Sequence, residues 1–178
     1  MKSQKISIGV IGVGHLGQHH VKHYRNMNNI NLLGVYDSDS ARGKKIANTY
    51  DTKYFEKANE LMQKCDAISI VTPTESHYDV ANSAISNFNC NVFIEKPITE
   101  TIIQADKLIE EAKKKGLIIQ VGHIERLNPA LRVLNKYNLN PKFIDIQRLA
   151  PYTVRAVSYT HLRAHETLRY LVCRLLLE

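Results

Sequence analysis

Short apolar, β-branched stretches alternate with segments of helical period, and this alternation predicts a doubly wound α/β fold. Strands joined by single helices imply right-handed crossovers and a parallel sheet covered on both faces. A glycine-rich turn between the first strand-like and first helix-like segments points the same way. The strand-like stretches are residues 7–11, 31–36, 67–71, Asn91–Ile94 and 117–121, each bounded by polar residues or glycine. Helices are expected near 15–28, 40–49, 56–63, 76–87 and 99–115. Beyond Gly122 the rhythm changes to a helix opened by Asn128-Pro129, a turn at Asn140-Pro141 and a strand near 143–149. The expected organisation is one domain over 1–122 and the beginning of a second, α+β domain over 123–156.

The 178 residues suffice for one full domain and part of another. With 44% hydrophobic and 23% charged residues, the composition is that of a globular protein and excludes disorder, collagen and a coiled coil. No apolar run reaches the roughly 18 residues that cross a bilayer, and the start enters a strand with no secretory cleavage pattern. The three cysteines, Cys65, Cys90 and Cys173, are widely spaced and form no Cys-x-x-Cys pair. They fit a reducing compartment and argue against zinc or a disulfide framework, so the expected location is the cytoplasm. The net charge of +7 is spread over helix faces, and its densest cluster, Lys113 to Lys115, precedes Gly116, where cations complement a helix dipole. That distribution argues against nucleic-acid and membrane partners and suits an anionic small molecule.

Gly12-Val13-Gly14-His15-Leu16-Gly17 follows the first strand and opens the first helix, giving G-x-G-x-x-G. The glycines allow a tight turn and close approach of backbone to a pyrophosphate, which the helix start binds through its unpaired N–H groups. His15 and Leu16 occupy the variable positions of that loop. Asp37 lies 20 residues after Gly17, at the end of the second strand, where a carboxylate accepts both ribose hydroxyls of adenosine. Together these features predict a Rossmann dinucleotide site. A carboxylate there repels a 2′-phosphate and favours NAD, with NADP not excluded, because Arg42 is near enough in sequence to reach a phosphate. Arg42 otherwise reads as a solvated helix residue. His15/His19 and His20/His23 have helix-face spacing for a metal but no third ligand, so no metal is expected.

Val71-Thr72-Pro73-Thr74-Glu75-Ser76-His77 and Phe93-Ile94-Glu95-Lys96-Pro97, taken with the glycine loop, resemble the Gfo/Idh/MocA oxidoreductase family over about residues 5–155. In that family the T-P-x-x-x-H and E-K-P segments line the nicotinamide end of the cofactor. The resemblance therefore adds Thr72, Pro73, Thr74, His77, Glu95, Lys96 and Pro97 to the cofactor-binding residues. For His77, a cofactor contact and a polar residue at a helix start stand as equal readings. Lys96 is the expected catalytic residue, since an ammonium can hydrogen-bond a substrate hydroxyl or carbonyl and steady negative charge as hydride moves.

Gly122-His123-Ile124-Glu125-Arg126-Leu127-Asn128-Pro129 and Arg148-Leu149-Ala150-Pro151 resemble the nucleotide-sugar branch, that of proteins similar to UDP-N-acetylglucosamine 3-dehydrogenase. Arg126 and Asn128 there either touch cofactor or substrate phosphate or cap the next helix. The resemblance implies an NAD(P)-dependent dehydrogenase of a sugar or nucleotide sugar, homo-oligomeric as a full protein. The alternative is a non-catalytic NAD-binding or regulatory module.

After Ala156 the family pattern stops. Residues 157–167 resemble the translation of a transposon-based sequencing adapter, and Leu171-Val172-Cys173-Arg174-Leu175-Leu176-Leu177 resembles its outer part, with a gap of index length between. Residues 157–178 are thus expected to be a non-native tail, leaving a fragment without the second-domain acid/base groups and itself inactive.

Overall fold

A computed structural model describes residues 5–137 together with Asn140, Lys142 and Phe143. The expected strand near 143–149, apart from its first residue, and the expected adapter-derived tail lie outside the described residues. Six parallel strands form one sheet: β1 (Ile6–Ile11), β2 (Ile30–Tyr36), β3 (Lys53–Tyr54), β4 (Ala67–Ile70), β5 (Asn91–Ile94) and β6 (Ile119–Val121). Their order is β3-β2-β1-β4-β5-β6, so the chain leaves β1 to one side for β2 and returns to its other side for β4. That reversal creates the crevice in which open α/β sheets bind ligands. The predicted α/β class is the observed one, with one strand added: β3, two residues long, escapes sequence reading because it has no apolar run of its own.

The connecting helices are α1 (Gly17–Arg25), α2 (Ser40–Thr49), α3 (Ala58–Met62), α4 (His77–Phe88) and α5 (Ile102–Lys115), and the four-residue α6 (Pro129–Arg132) follows β6. Local chemistry sets their ends. Asp39 caps α2 by accepting the Arg42 amide, and α5 begins with a capping box in which Thr101 and Gln104 each bond the other's main chain. That box places the start of α5 at Ile102 rather than at 99. At its far end Gly116 takes φ +66° and stops the helix behind three lysines.

Strand periodicity sends neighbouring side chains to opposite faces, and β1 shows it directly. Val10 joins Val13, Val21, Val35 and Ala47 in the core on the α1 side, whereas Ile11 joins Leu61, Ile68, Ile70, Ile85, Ile94 and Leu108 in a larger core lined by α3, α4 and α5. Both faces are therefore dry, as a parallel sheet requires. Among the described residues no helix is long and apolar enough to cross a membrane.

Candidate functional site

The strand pairing aligns Ile11 with Tyr36 and Ile70, Ile70 with Ile94, and Ile94 with Val121. The residues just beyond that row continue the ladder. Gly12 N–H donates to Tyr36 O, Val71 N–H to Ile11 O, Glu95 N–H to Ile70 O and Gly122 N–H to Ile94 O, at 2.8–3.0 Å. One edge of the sheet thus gathers the glycine loop, Asp37, the Thr72 loop, Glu95-Lys96 and Gly122.

The glycine loop is fixed by what a side chain would strike. Gly12 has φ +86°, and a Cβ on it would lie 2.6 Å from the Val71 carbonyl oxygen. A Cβ on Gly17 would collide with the Gly12 carbonyl, so α1 starts hard against the turn. Gly14 differs: a Cβ there meets nothing within 4 Å. Its small size serves open space in front of the start of α1, where helix amides and dipole favour an anion. His15 and Leu16 are exposed beside it.

Asp37, 4% exposed, ties the end of β2 to this loop. Its Oδ2 accepts the Val13 amide at 2.8 Å and Arg42 Nε at 3.0 Å; its Oδ1 accepts the Asp39 amide at 2.9 Å and Arg42 Nη2 at 2.7 Å. Burial alone would push the carboxyl up, but the Arg42 bonds and the two amides together hold it below the ordinary carboxylate range. Arg42 is thus a bidentate partner of Asp37, which sequence spacing did not disclose.

Between β4 and α4, Pro73 is exposed and Thr74 begins a single 3₁₀ turn (Thr74–Ser76). Thr72 Oγ1 is buried and, among the described residues, is the one buried side-chain polar atom without a hydrogen-bond partner. Leaving such an atom unpaired costs about 1–3 kcal/mol, and a bound ligand group would recover it. His77 is 1% exposed, with Nδ1 2.8 Å from Pro97 O and Nε2 2.9 Å from Thr72 O. Each ring nitrogen lies against a main-chain carbonyl, and the nitrogen that carries the proton donates to its own, so the ring bridges the Thr72 loop and the Glu95-Lys96-Pro97 loop. The Lys96–Pro97 bond is cis, and both residues are exposed at the crevice edge.

Behind Glu95 lies a polar chain that sequence reading missed. His20 Nε2 is 3.1 Å from Glu95 Oε1, and its Nδ1 is 3.0 Å from Ser69 Oγ. Burial is the largest influence on His20 and lowers its pKa, against the opposing pull of Glu95. The neutral ring donates Nε2–H to the carboxylate, and its Nδ1 accepts the Ser69 hydroxyl proton. Glu95 Oε2 also accepts the Lys96 amide at 3.3 Å. A Cβ on Gly122 would lie 2.9 Å from the Glu95 carboxylate, so any larger residue there would have to move that side chain aside. The helical phase of Gly17, His20, Val21 and Tyr24 was the available signal that His20 faces inward.

Arg126 stands apart from this cluster, exposed on a 3₁₀ turn (Ile124–Leu127) after β6. Asn128 is a helix cap: its side chain accepts the Ala130 amide at 3.0 Å and donates to Glu125 at 2.9 Å. Among the described residues no group of three or more His, Cys, Asp or Glu could hold a metal ion.

Comparison with known proteins agrees with this geometry. The chain is 37% identical over 151 residues to UDP-N-acetylglucosamine 3-dehydrogenase of Acidithiobacillus ferrooxidans, covering 84% of this chain and 47% of that protein. A solved structure of that dehydrogenase superposes with a TM-score of 0.82 at 35% identity, covering 87% of this chain and 51% of the other. Scyllo-inositol 2-dehydrogenase (NAD(+)) of Bacillus subtilis is 32% identical over 130 residues, 71% of this chain and 38% of its own length. The chain spans about half the length of the curated relatives it matches, or less. The profile described as "Oxidoreductase family, NAD-binding Rossmann fold" matches residues 6–123, and with the glycine loop, the strand order and the E-K-P loop in place, the chain belongs to that Gfo/Idh/MocA family.

Proposed function

We propose that the chain is the cofactor-binding part of a dehydrogenase that moves hydride between a sugar or nucleotide-sugar hydroxyl carbon and NAD(P). The observation that carries this reading is the open space at Gly14 and the unpartnered Thr72 Oγ1 at one strand-end edge, one suited to a pyrophosphate and the other to a polar group farther along the same ligand. The start of α1 would hold the pyrophosphate, Asp37 the adenosine ribose, and the Thr72 and Lys96 loops the nicotinamide end. When bound, the nicotinamide supplies the hydride acceptor or donor. Lys96 hydrogen-bonds the reacting oxygen and assists its proton as charge develops there. Glu95, fixed by His20, and Pro97, fixed by His77, keep the Lys96 main chain in register. The substrate surface belongs to residues outside this domain, and the nucleotide sugar of the dehydrogenase relative is the substrate class proposed first.

Gly14→Val tests the loop. Because a Cβ at this position meets nothing, the variant should keep the wild-type circular dichroism and melting temperature. NADH binding, read by nicotinamide fluorescence, should weaken at least about tenfold, equivalent to 1.4 kcal/mol of steric exclusion. A Gly14→Val protein that binds NADH as the wild type does would remove the pyrophosphate from this loop.

A further inference from the structure

Helix α1 starts at Gly17 against the glycine loop, and its His20 reaches a different part of the crevice, the carboxylate of Glu95. Glu95 is a flexible side chain just past the end of β5, and ordering it costs conformational entropy that its partners must offset. Two surfaces hold it. On one side His20 Nε2 lies 3.1 Å from Oε1; on the other, a Cβ built on Gly122 would stand 2.9–3.0 Å from Oε1, Cδ and Oε2 alike, so the carboxylate lies against bare main chain. Oε2 is then turned to the Lys96 amide, 3.3 Å away. His20 is itself fixed. Its Nδ1 meets Ser69 Oγ on β4 at 3.0 Å, and its ring packs edge-on to Phe93, which shares a sheet face with Glu95, at 5.4 Å between centroids.

We propose that His20 is a positioning residue for the nicotinamide end of the cofactor: it touches neither nucleotide nor substrate and acts by holding Glu95 where its carboxylate fixes the Lys96 main chain. The inference rests on the dinucleotide reading above and adds to it a residue from outside the motif segments. Because the ring sits on α1, the helix that would hold the pyrophosphate also sets the loop that would hold the nicotinamide. One rigid element then serves both halves of the ligand. With an acceptor-only carboxylate against Nε2, the imidazole proton sits on Nε2, and Nδ1 is left to accept from Ser69. The Ser69 bond thereby selects the tautomer that holds Glu95. Loss of that donor leaves a part-buried carboxylate oxygen short of a partner, and the side chain then turns toward solvent, taking the anchor of the Lys96 amide with it.

ADP-ribose carries the adenosine and pyrophosphate but no nicotinamide, which separates this role from a structural one. NADH and ADP-ribose are titrated calorimetrically into the 178-residue wild type, His20→Asn and His20→Gln. The asparagine amide reaches about as far as Nδ1 and keeps a partner for Ser69, whereas the glutamine amide reaches about as far as Nε2 and keeps a donor for Glu95. In His20→Asn, NADH should bind about tenfold weaker and lose most of its nicotinamide fluorescence enhancement, while ADP-ribose stays within about twofold of the wild type. His20→Gln should hold both ligands within about twofold of the wild type and retain the enhancement. A damaged fold would weaken both ligands together. Equal NADH binding in the two variants, or parallel loss of NADH and ADP-ribose, would overturn the positioning role and leave the dinucleotide site standing. A wild type that binds ADP-ribose as tightly as NADH would overturn it too, since His20 would then have no nicotinamide contact to position. Failure of the wild type to bind either ligand would overturn the dinucleotide reading and the role of His20 together.

Discussion

At Gly12 and Gly14 the same residue type answers opposite demands. The first has a left-handed backbone pressed against Val71, and the second has nothing near it. Gly12→Ala should therefore cost roughly 3 kcal/mol of folding stability, from backbone strain and the clash with the Val71 carbonyl. Gly14→Ala should stay within about 0.5 kcal/mol of the wild type. Urea unfolding of the two variants distinguishes them, and equal losses would contradict the geometry. The glycine spacing was legible in the sequence because it encodes main-chain turns, which are local. The pairing of Arg42 with Asp37 was not, because i, i+5 spacing says nothing about a side chain leaving the first turn of a helix to reach the preceding strand end. His77 was half legible. Its motif marked it as important, but its burial and its two carbonyl partners depend on two loops 20 residues apart meeting in space.

Helix α1 illustrates what an element carries beyond its propensity. It brings Gly17 against the turn, Val21 into the core and His20 against Glu95, all from one face. His20 gives that face a pH dependence. In the unfolded chain its pKa is near 6.5, about the ordinary histidine value, and in the fold burial lowers it. On acidification the unfolded chain takes up this proton first. The contribution of His20 is complete above about pH 6.5 and is lost as pH falls from there through the folded value. The melting temperature of the wild type should drop more steeply below pH 6.5 than that of His20→Gln, and parallel curves would assign the dependence to other groups. The element boundaries show the limits of reading by period. The first helix begins two residues later than its pattern implies, since His15 and Leu16 still belong to the turn. Strand β3 exists only through its partner: Gly34 leaves room for Phe55 and for the Lys53 carbonyl, a contact between segments far apart in sequence.

At the scale of the molecule, the two cores are separated by the sheet and differ in size, the larger holding α3, α4 and α5. Cys90 is buried in that larger core, and Cys65 packs against it. Burial is the main cause that pushes the Cys65 thiol up to about 12 and the Cys90 thiol up to about 11. A thiolate is the reactive form, so neither cysteine should label in the folded domain. In a Cys173→Ser chain, which removes the one cysteine outside the described residues, both thiols should react with a disulfide reagent only at the rate of global opening. Rapid labelling in native buffer would show that the larger core opens locally. The sheet order itself was within reach of the sequence, because alternating strands and helices leave few topologies once crossovers are right-handed. The margins of that sheet have one more effect. Among the described residues they are its two shortest strands, two residues at β3 and three at β6. A rim so short offers a foreign β-strand few main-chain groups to pair with, which shields the long apolar strands at the centre from edge-to-edge aggregation.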